Sequence, residues 1–146
     1  METNRVMKKK TGITASAFDL LHAGHILMLQ EAKTVCDHLV VALQTDPTID
    51  RPSKNKPIQT IEERFVQLSG CKYVDDIITY NTEAELEAIF RNLDVDVRII
   101  GEEYKTKEFT AKDICIERGI EIYYNSRKHS YSTTELRKRI LQHESL

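Results

Sequence analysis

The sequence predicts an α/β protein, a five-stranded parallel sheet with helices on both faces. Three observations point there. From Thr11 onward, short apolar runs alternate with helical patterns five times, and that alternation means a parallel sheet covered by helices. The run HLVVALQT (38–45) is continuously apolar, as expected for a strand buried on both faces. Three of the helical segments open on a Ser or Thr with Glu three residues later, the reciprocal capping box.

Taken in order, TGITAS (11–16) reads as the first strand. Ile26, Leu29, Ala32 and Lys33 then follow at helical spacing and predict a helix over 25–34. HLVVALQT is the second strand. Residues 46–59 hold Pro47, Pro52 and Pro57 and form the longest irregular stretch, a length usually tied to function or disorder. TIEERFVQLSG is boxed by Thr60 and Glu63, with Ile61, Phe65 and Leu68 as its inward face and Gly70 as its stop. YVDDIITY (73–80) is the third strand. TEAELEAIFRNL, boxed by Thr82 and Glu85, buries Leu86, Ile89, Phe90 and Leu93. VDVRIIG (95–101) is the fourth strand, a helix over 110–118 stops at Gly119, and IEIYY (120–124) is the fifth. STTELRKRI, boxed by Ser132 and Glu135, is the last helix.

Composition narrows the function classes. The 146 residues suit one domain over 11–146 behind a frayed leader over 1–10, whose Lys8–Lys10 run is expected to be a solvated tail. Hydrophobic residues at 40% and charged residues at 30% are those of an ordinary soluble protein. With 21 Lys and Arg against 23 Asp and Glu, the net charge of −2 argues against a nucleic-acid partner. No apolar run approaches the ~20 residues of a membrane span, and no apolar region follows the first charges as in a secretory signal. Cys36, Cys71 and Cys115 are unpaired in pattern, as in a cytoplasmic protein with reduced thiols.

In such a sheet, ligands bind beyond the carboxyl ends of the strands. Four polar segments are predicted to meet there: the stretch after the first strand, the Pro/Lys loop, GEEYKTK, and NSRKHSYSTT. Neither G-x-G-x-x-G nor G-x-x-x-x-G-K-[ST] occurs; the first strand is followed by F-D-x-x-H-x-G-H. His22 and His25 fall on one side of a helix start, whose free amides favour an anion, and Gly24 lets the backbone come close to a ligand. Two imidazoles there can spread charge developing on phosphate. A zinc pair and a plain helix cap are the competing readings, although H-x-x-H lacks the i,i+4 zincin spacing. Lys54 and Lys56 sit on a loop able to close over phosphates. Ser132, Thr133 and Thr134 open a helix five residues after Arg127, which suits the outer phosphates of a nucleotide.

AFDLLHAGH together with YSTTELRKRI resembles the HxGH nucleotidyltransferase superfamily, which shares its histidine motif with class I aminoacyl-tRNA synthetases. The likeness is greatest to the glycerol-3-phosphate cytidylyltransferases, with their G-T-F-D-L-L-H-x-G-H and R-T-x-G-I-S-T-T motifs, and it runs from Thr11 to about Ile140. The resemblance implies a Rossmann-like sheet and a reaction in which a phosphate monoester attacks the α-phosphorus of CTP and releases pyrophosphate. It implies His22, His25, Lys54 and Lys56 as catalytic residues. Ser16, Ala17, Phe18, Gly24, Arg127, Ser132, Thr133 and Thr134 are its nucleotide-binding positions, and Asp19 and Lys72 its acceptor-binding ones. Mg²⁺ enters with the triphosphate, no metal is held by the chain, and a cytoplasmic homodimer is implied. Ser16 and Ala17 stand where those enzymes have Gly-Thr, Lys72 replaces an arginine, and Tyr104 a tryptophan. Relatives that adenylylate flavin or sugar phosphates are the alternative, and a non-catalytic nucleotide sensor is the third.

Overall fold

The computed structural model describes residues 9–144. Its five strands are β1 (Thr11–Ser16), β2 (His38–Gln44), β3 (Asp76–Tyr80), β4 (Val97–Gly101) and β5 (Glu121–Asn125). They form one sheet in the order β3-β2-β1-β4-β5, and all four pairings are parallel. The helices are α1 (Ala23–Ala32), α2 (Ile61–Ser69), α3 (Glu83–Asn92), α4 (Lys112–Glu117) and α5 (Thr133–Glu144), with a 3-10 turn at Glu102–Thr106.

The apolar run of β2 supplies both faces of the sheet. Val40 and Ala42 join Ile13, Leu86, Phe90, Ile114 and Cys115 under α3 and α4. Leu39, Val41 and Leu43 join Phe18, Leu29, Leu68, Val97 and Ile99 under α1 and α2. Each such side chain contributes about 1.5–3 kcal/mol of burial, which is why this strand has no polar alternation to read.

Several boundaries differ from the expected ones. The first helix starts two residues early because the His22 side chain caps it. In α2 the buried residues are Arg64 and Leu68, whereas Phe65 is 43% exposed, so the inward face is rotated from the one the apolar residues define. The Thr60–Glu63 box is reciprocal. At α3, Thr82 accepts from the Glu85 amide, but the Glu85 carboxylate turns to the Asn81 amide instead. Gly119, at φ 71°, ends α4 in the left-handed conformation that glycine adopts without a side-chain clash. Residues 1–8 of the expected leader lie outside the described residues. Lys10 is not frayed: its amide donates to Asp37 Oδ2 at 2.8 Å and its ammonium pairs with Glu121 at 3.1 Å. All three cysteines are free thiols.

Candidate active site

Chain order reverses at β1. The connection through α1 leads to β2 on one side, whereas β4 on the other is reached only after β3. Loops leaving β1 and β4 therefore diverge, and the crevice between them is where open α/β sheets hold ligands. A cavity of about 240 Å³ opens there, lined by Ser16, His22, His25, Gly101, Arg127 and Thr133 among others.

The loop from β1 to α1 is held in an uncommon shape. Phe18 (φ 49°) and Leu20 (φ 52°) are both left-handed, a conformation that L residues adopt only under surrounding constraint. Four hydrogen bonds supply the constraint. Arg64 donates to the Ala17 carbonyl at 2.9 Å, and the Leu20 amide donates to Gln59 Oε1 at 2.8 Å. Both Asp19 oxygens accept backbone amides, from Ile58 at 2.9 Å and Gln59 at 3.0 Å. Phe18 is buried beneath, with its ring 5.2 Å from that of His25.

The two histidines share one hydrogen-bonding pattern. His22 Nδ1 accepts from the Gly24 amide at 3.0 Å, and His25 Nδ1 accepts from the His22 amide at 3.2 Å. With Nδ1 used as an acceptor, the neutral ring carries its proton on Nε2. The rings stack at 3.9 Å, and His22 Nε2 lies 3.2 Å from Thr133 Oγ1 on α5. Burial pushes His25 down to about 3, with His22 and Arg127 adding to the effect. Burial also lowers His22, assisted by His129 and Arg127. Both rings are thus neutral donors at pH 7. The helix-cap reading is met, since each ring gives Nδ1 to a backbone amide of the helix start, and both rings line the cavity.

The segment after β5 closes over this pair. Glu31 of α1 accepts the Tyr123 hydroxyl at 2.8 Å and the Ser126 amide at 3.1 Å. Arg127 pairs with Glu103 at 3.1 Å, while its amide donates to Glu102. A Cβ on Gly24 would lie 2.9 Å from His22 Cε1 and 3.0 Å from both His129 Cε1 and the Tyr131 carbonyl, so close packing against this segment requires glycine. Ser132 caps α5 through the Glu135 amide at 3.0 Å, leaving the Thr133 and Thr134 amides at the open helix start.

The structure thus brings together Ser16, Phe18, His22, Gly24, His25, Arg127, Ser132 and Thr133, with Ala17, Lys54 and Thr134 on an adjoining cavity. Lys56 is exposed on the same loop as Lys54. Two expected acceptor residues are placed otherwise. Asp19 has its carboxylate committed to the loop amides and to Arg137 at 3.0 Å, and so acts as a bracket. Lys72 is exposed before β3, at the amino ends of the strands, with its ammonium 5.2 Å from the Tyr73 ring. It lies at the opposite edge of the sheet from the histidines. Sequence reasoning missed Arg64, Glu31, Glu103 and His129, because each acts through a contact distant in sequence. Among the described residues, no group of three or more His, Cys, Asp or Glu could hold a metal ion.

A model of the Cytidylyltransferase-like family matches residues 13–139. The bifunctional protein HldE of Hyphomonas neptunium is 34% identical over 137 residues, 93% of this chain and 28% of that protein. HldE of Campylobacter concisus is 34% identical over 134 residues, 91% of this chain and 27% of that protein. The chain spans about a quarter of the length of the curated relatives it matches. The crystal structure of the lipopolysaccharide core biosynthesis protein from Thermoplasma volcanium superposes with a TM-score of 0.68 at 27% identity, over 84% of this chain and 100% of that one. With the histidine pair seated at the β1/β4 crevice and the family pattern matched across the sheet, this chain belongs to the cytidylyltransferase-like family of HxGH nucleotidyltransferases.

Proposed function

We propose that the protein transfers a nucleotidyl group from CTP or ATP to a phosphorylated sugar or polyol, releasing pyrophosphate. The observation that carries this reading is the stacked histidine pair at the switch point, each ring with Nδ1 accepting a backbone amide and His22 Nε2 beside the Thr133 hydroxyl. A phosphate oxygen of the acceptor attacks the α-phosphorus, the bond to the β-phosphate oxygen breaks, and pyrophosphate departs with that electron pair. Charge grows on the non-bridging oxygens of the α-phosphate, and His22 and His25 donate to them without losing a proton. Donors fixed in advance by the helix cap need no reorganisation during the step. The start of α5, with Thr133, Thr134 and its dipole, takes the outer phosphates. Lys54 reaches in from its loop, and Arg127 turns from Glu103 to the nucleotide. Mg²⁺ enters with the triphosphate in this reading, as the resemblance implies.

A sugar phosphate is favoured over glycerol 3-phosphate by the likeness to the lipopolysaccharide core biosynthesis protein of Thermoplasma volcanium. The enzyme is read as cytoplasmic and homodimeric, as the resemblance implies. The test is pyrophosphate release with CTP and ATP against a panel of sugar phosphates and glycerol 3-phosphate. Release with one donor and at least one sugar phosphate is expected. No release with any pair, from protein that binds the triphosphate, would make it a nucleotide sensor and overturn the proposal.

A further inference from the structure

β4 places Arg98 beside Ile13 of β1, on the apolar face that α3 and α4 cover. This arginine is 5% exposed. Its guanidinium lies 4.4 Å from the Phe90 ring centre and 4.9 Å from that of Phe109, donates to the Thr110 carbonyl and neighbours Cys115. No carboxylate of the described residues pairs with it; Glu83, the acid nearest in influence, is given to Arg51 at 3.6 Å. Burying an unneutralised cation is costly, and stacking on two rings returns only part of that cost. The other buried arginine, Arg64, spends its guanidinium on five backbone carbonyls, whereas Arg98 is kept at its place in the core with the Thr110 carbonyl alone as a backbone partner.

That place is the floor of a second cavity, about 300 Å³, which shares Ala15, Ser16, Ile100, Tyr104 and Arg98 itself with the nucleotide cavity. Arg98 is therefore at the junction of the two. We propose that Arg98 holds the reacting phosphate of the acceptor, with the acceptor's body in this second cavity. The planar fork grips two phosphate oxygens and leaves the third free to attack. Glu83, Glu108 and Gln44 line the same cavity as acceptors for hydroxyl groups, and Tyr104 and Phe109 offer rings beside them, a lining suited to a polyhydroxylated body of sugar size. The assignment rests on the nucleotidyl-transfer reading and replaces Lys72 as the acceptor-phosphate residue.

Inorganic phosphate is the probe, its binding to the full chain read by ³¹P line broadening with the nucleotide site saturated by CTP or ATP. In Arg98→Leu, phosphate affinity should fall at least tenfold and triphosphate affinity stay within twofold, with an equal or higher melting temperature in phosphate-free buffer. Folded Arg98→Leu that binds phosphate as the wild type does would overturn the proposal. Should that variant fail to fold, Arg98→Lys keeps a charge without the fork. It should weaken phosphate at least threefold and raise the acceptor KM without moving the nucleotide KM; unchanged binding there also overturns it. Failure of the nucleotidyl-transfer reading looks different, as absent pyrophosphate release in the wild type whatever Arg98 binds.

Discussion

His22 performs two tasks at separate ring nitrogens, so a substitution can separate them. Asparagine is a good N-cap but does not reach the cavity as Nε2 does. His22→Asn should keep the melting temperature within a few degrees, since a lost cap costs only about 1 kcal/mol, and should lower kcat about 10²–10³-fold, the usual loss for one charge-stabilising donor. Near-normal turnover at saturating substrate would remove His22 from the mechanism. His25→Ala should match it in rate and cost more stability, since His25 is the more deeply buried ring. Lys72 is the contrasting residue. Its ammonium rests near Tyr73 at the opposite sheet edge, so Lys72→Ala should leave kcat/KM within twofold for every accepted phosphate. A tenfold loss would show that it reaches a site after all. The histidine motif was legible because its residues are adjacent in sequence; Lys72 was assigned by likeness alone, although its position just before a strand already sets it at an amino end, away from the ligand side of the sheet.

Helix α2 shows where periodicity loses to hydrogen bonding. By pattern its inward face is Ile61, Phe65 and Leu68, yet Arg64 takes the buried place. There it donates to five carbonyls, those of Ala17, Gln44, Thr45, Gln59 and Thr60. Those carbonyls come from the ends of β1 and β2 and from the start of α2, and only the folded sheet assembles them. The helix start could be read from its capping box, but no local signal marks Arg64. Arg64→Leu fits the space yet leaves the carbonyls unpaired, so we expect a loss of about 3–5 kcal/mol in urea denaturation. It should also reduce turnover, because the Ala17 carbonyl anchors the histidine loop. Equal stability would mean that water replaces the guanidinium. The neighbouring loop behaves oppositely. Residues 51–56 are exposed throughout, with little to bury, so protease should cut them in the free protein and spare them with triphosphate and acceptor bound. Equal cutting in both states would rule out a closing loop.

Across the whole molecule, the parallel sheet was legible because its signals are local: apolar runs, capping boxes and a glycine stop. The site was legible only where it is continuous with strand ends. The ties that complete it, Glu31 to Ser126 and Glu103 to Arg127, join segments about ninety-five and two dozen residues apart, and no spacing in the sequence announces them. The price of this assembly is a pair of neutral imidazoles inside a protein that unfolds to expose them, and it makes stability depend on pH. His25 titrates near 6.5 in the unfolded chain and about 3 in the folded one. Above pH 6.5 it is neutral in both states and contributes no pH dependence. Between pH 6.5 and 3 the unfolded state binds the extra proton, so stability falls as pH falls, with a limiting slope of about 1.4 kcal/mol per pH unit. His22 shifts in the same direction and adds to the fall. Asp19 and Asp75, held below the usual carboxylate range, also lose their contribution on acidification, but only below about pH 4. The window from pH 6.5 to 4.5 therefore isolates the histidines. Urea denaturation should show the wild type losing about 2 kcal/mol across it, and His25→Gln losing clearly less. An identical pH slope in His25→Gln would mean that His25 takes up its proton equally in the folded and unfolded protein, and the burial that holds it neutral would be ruled out.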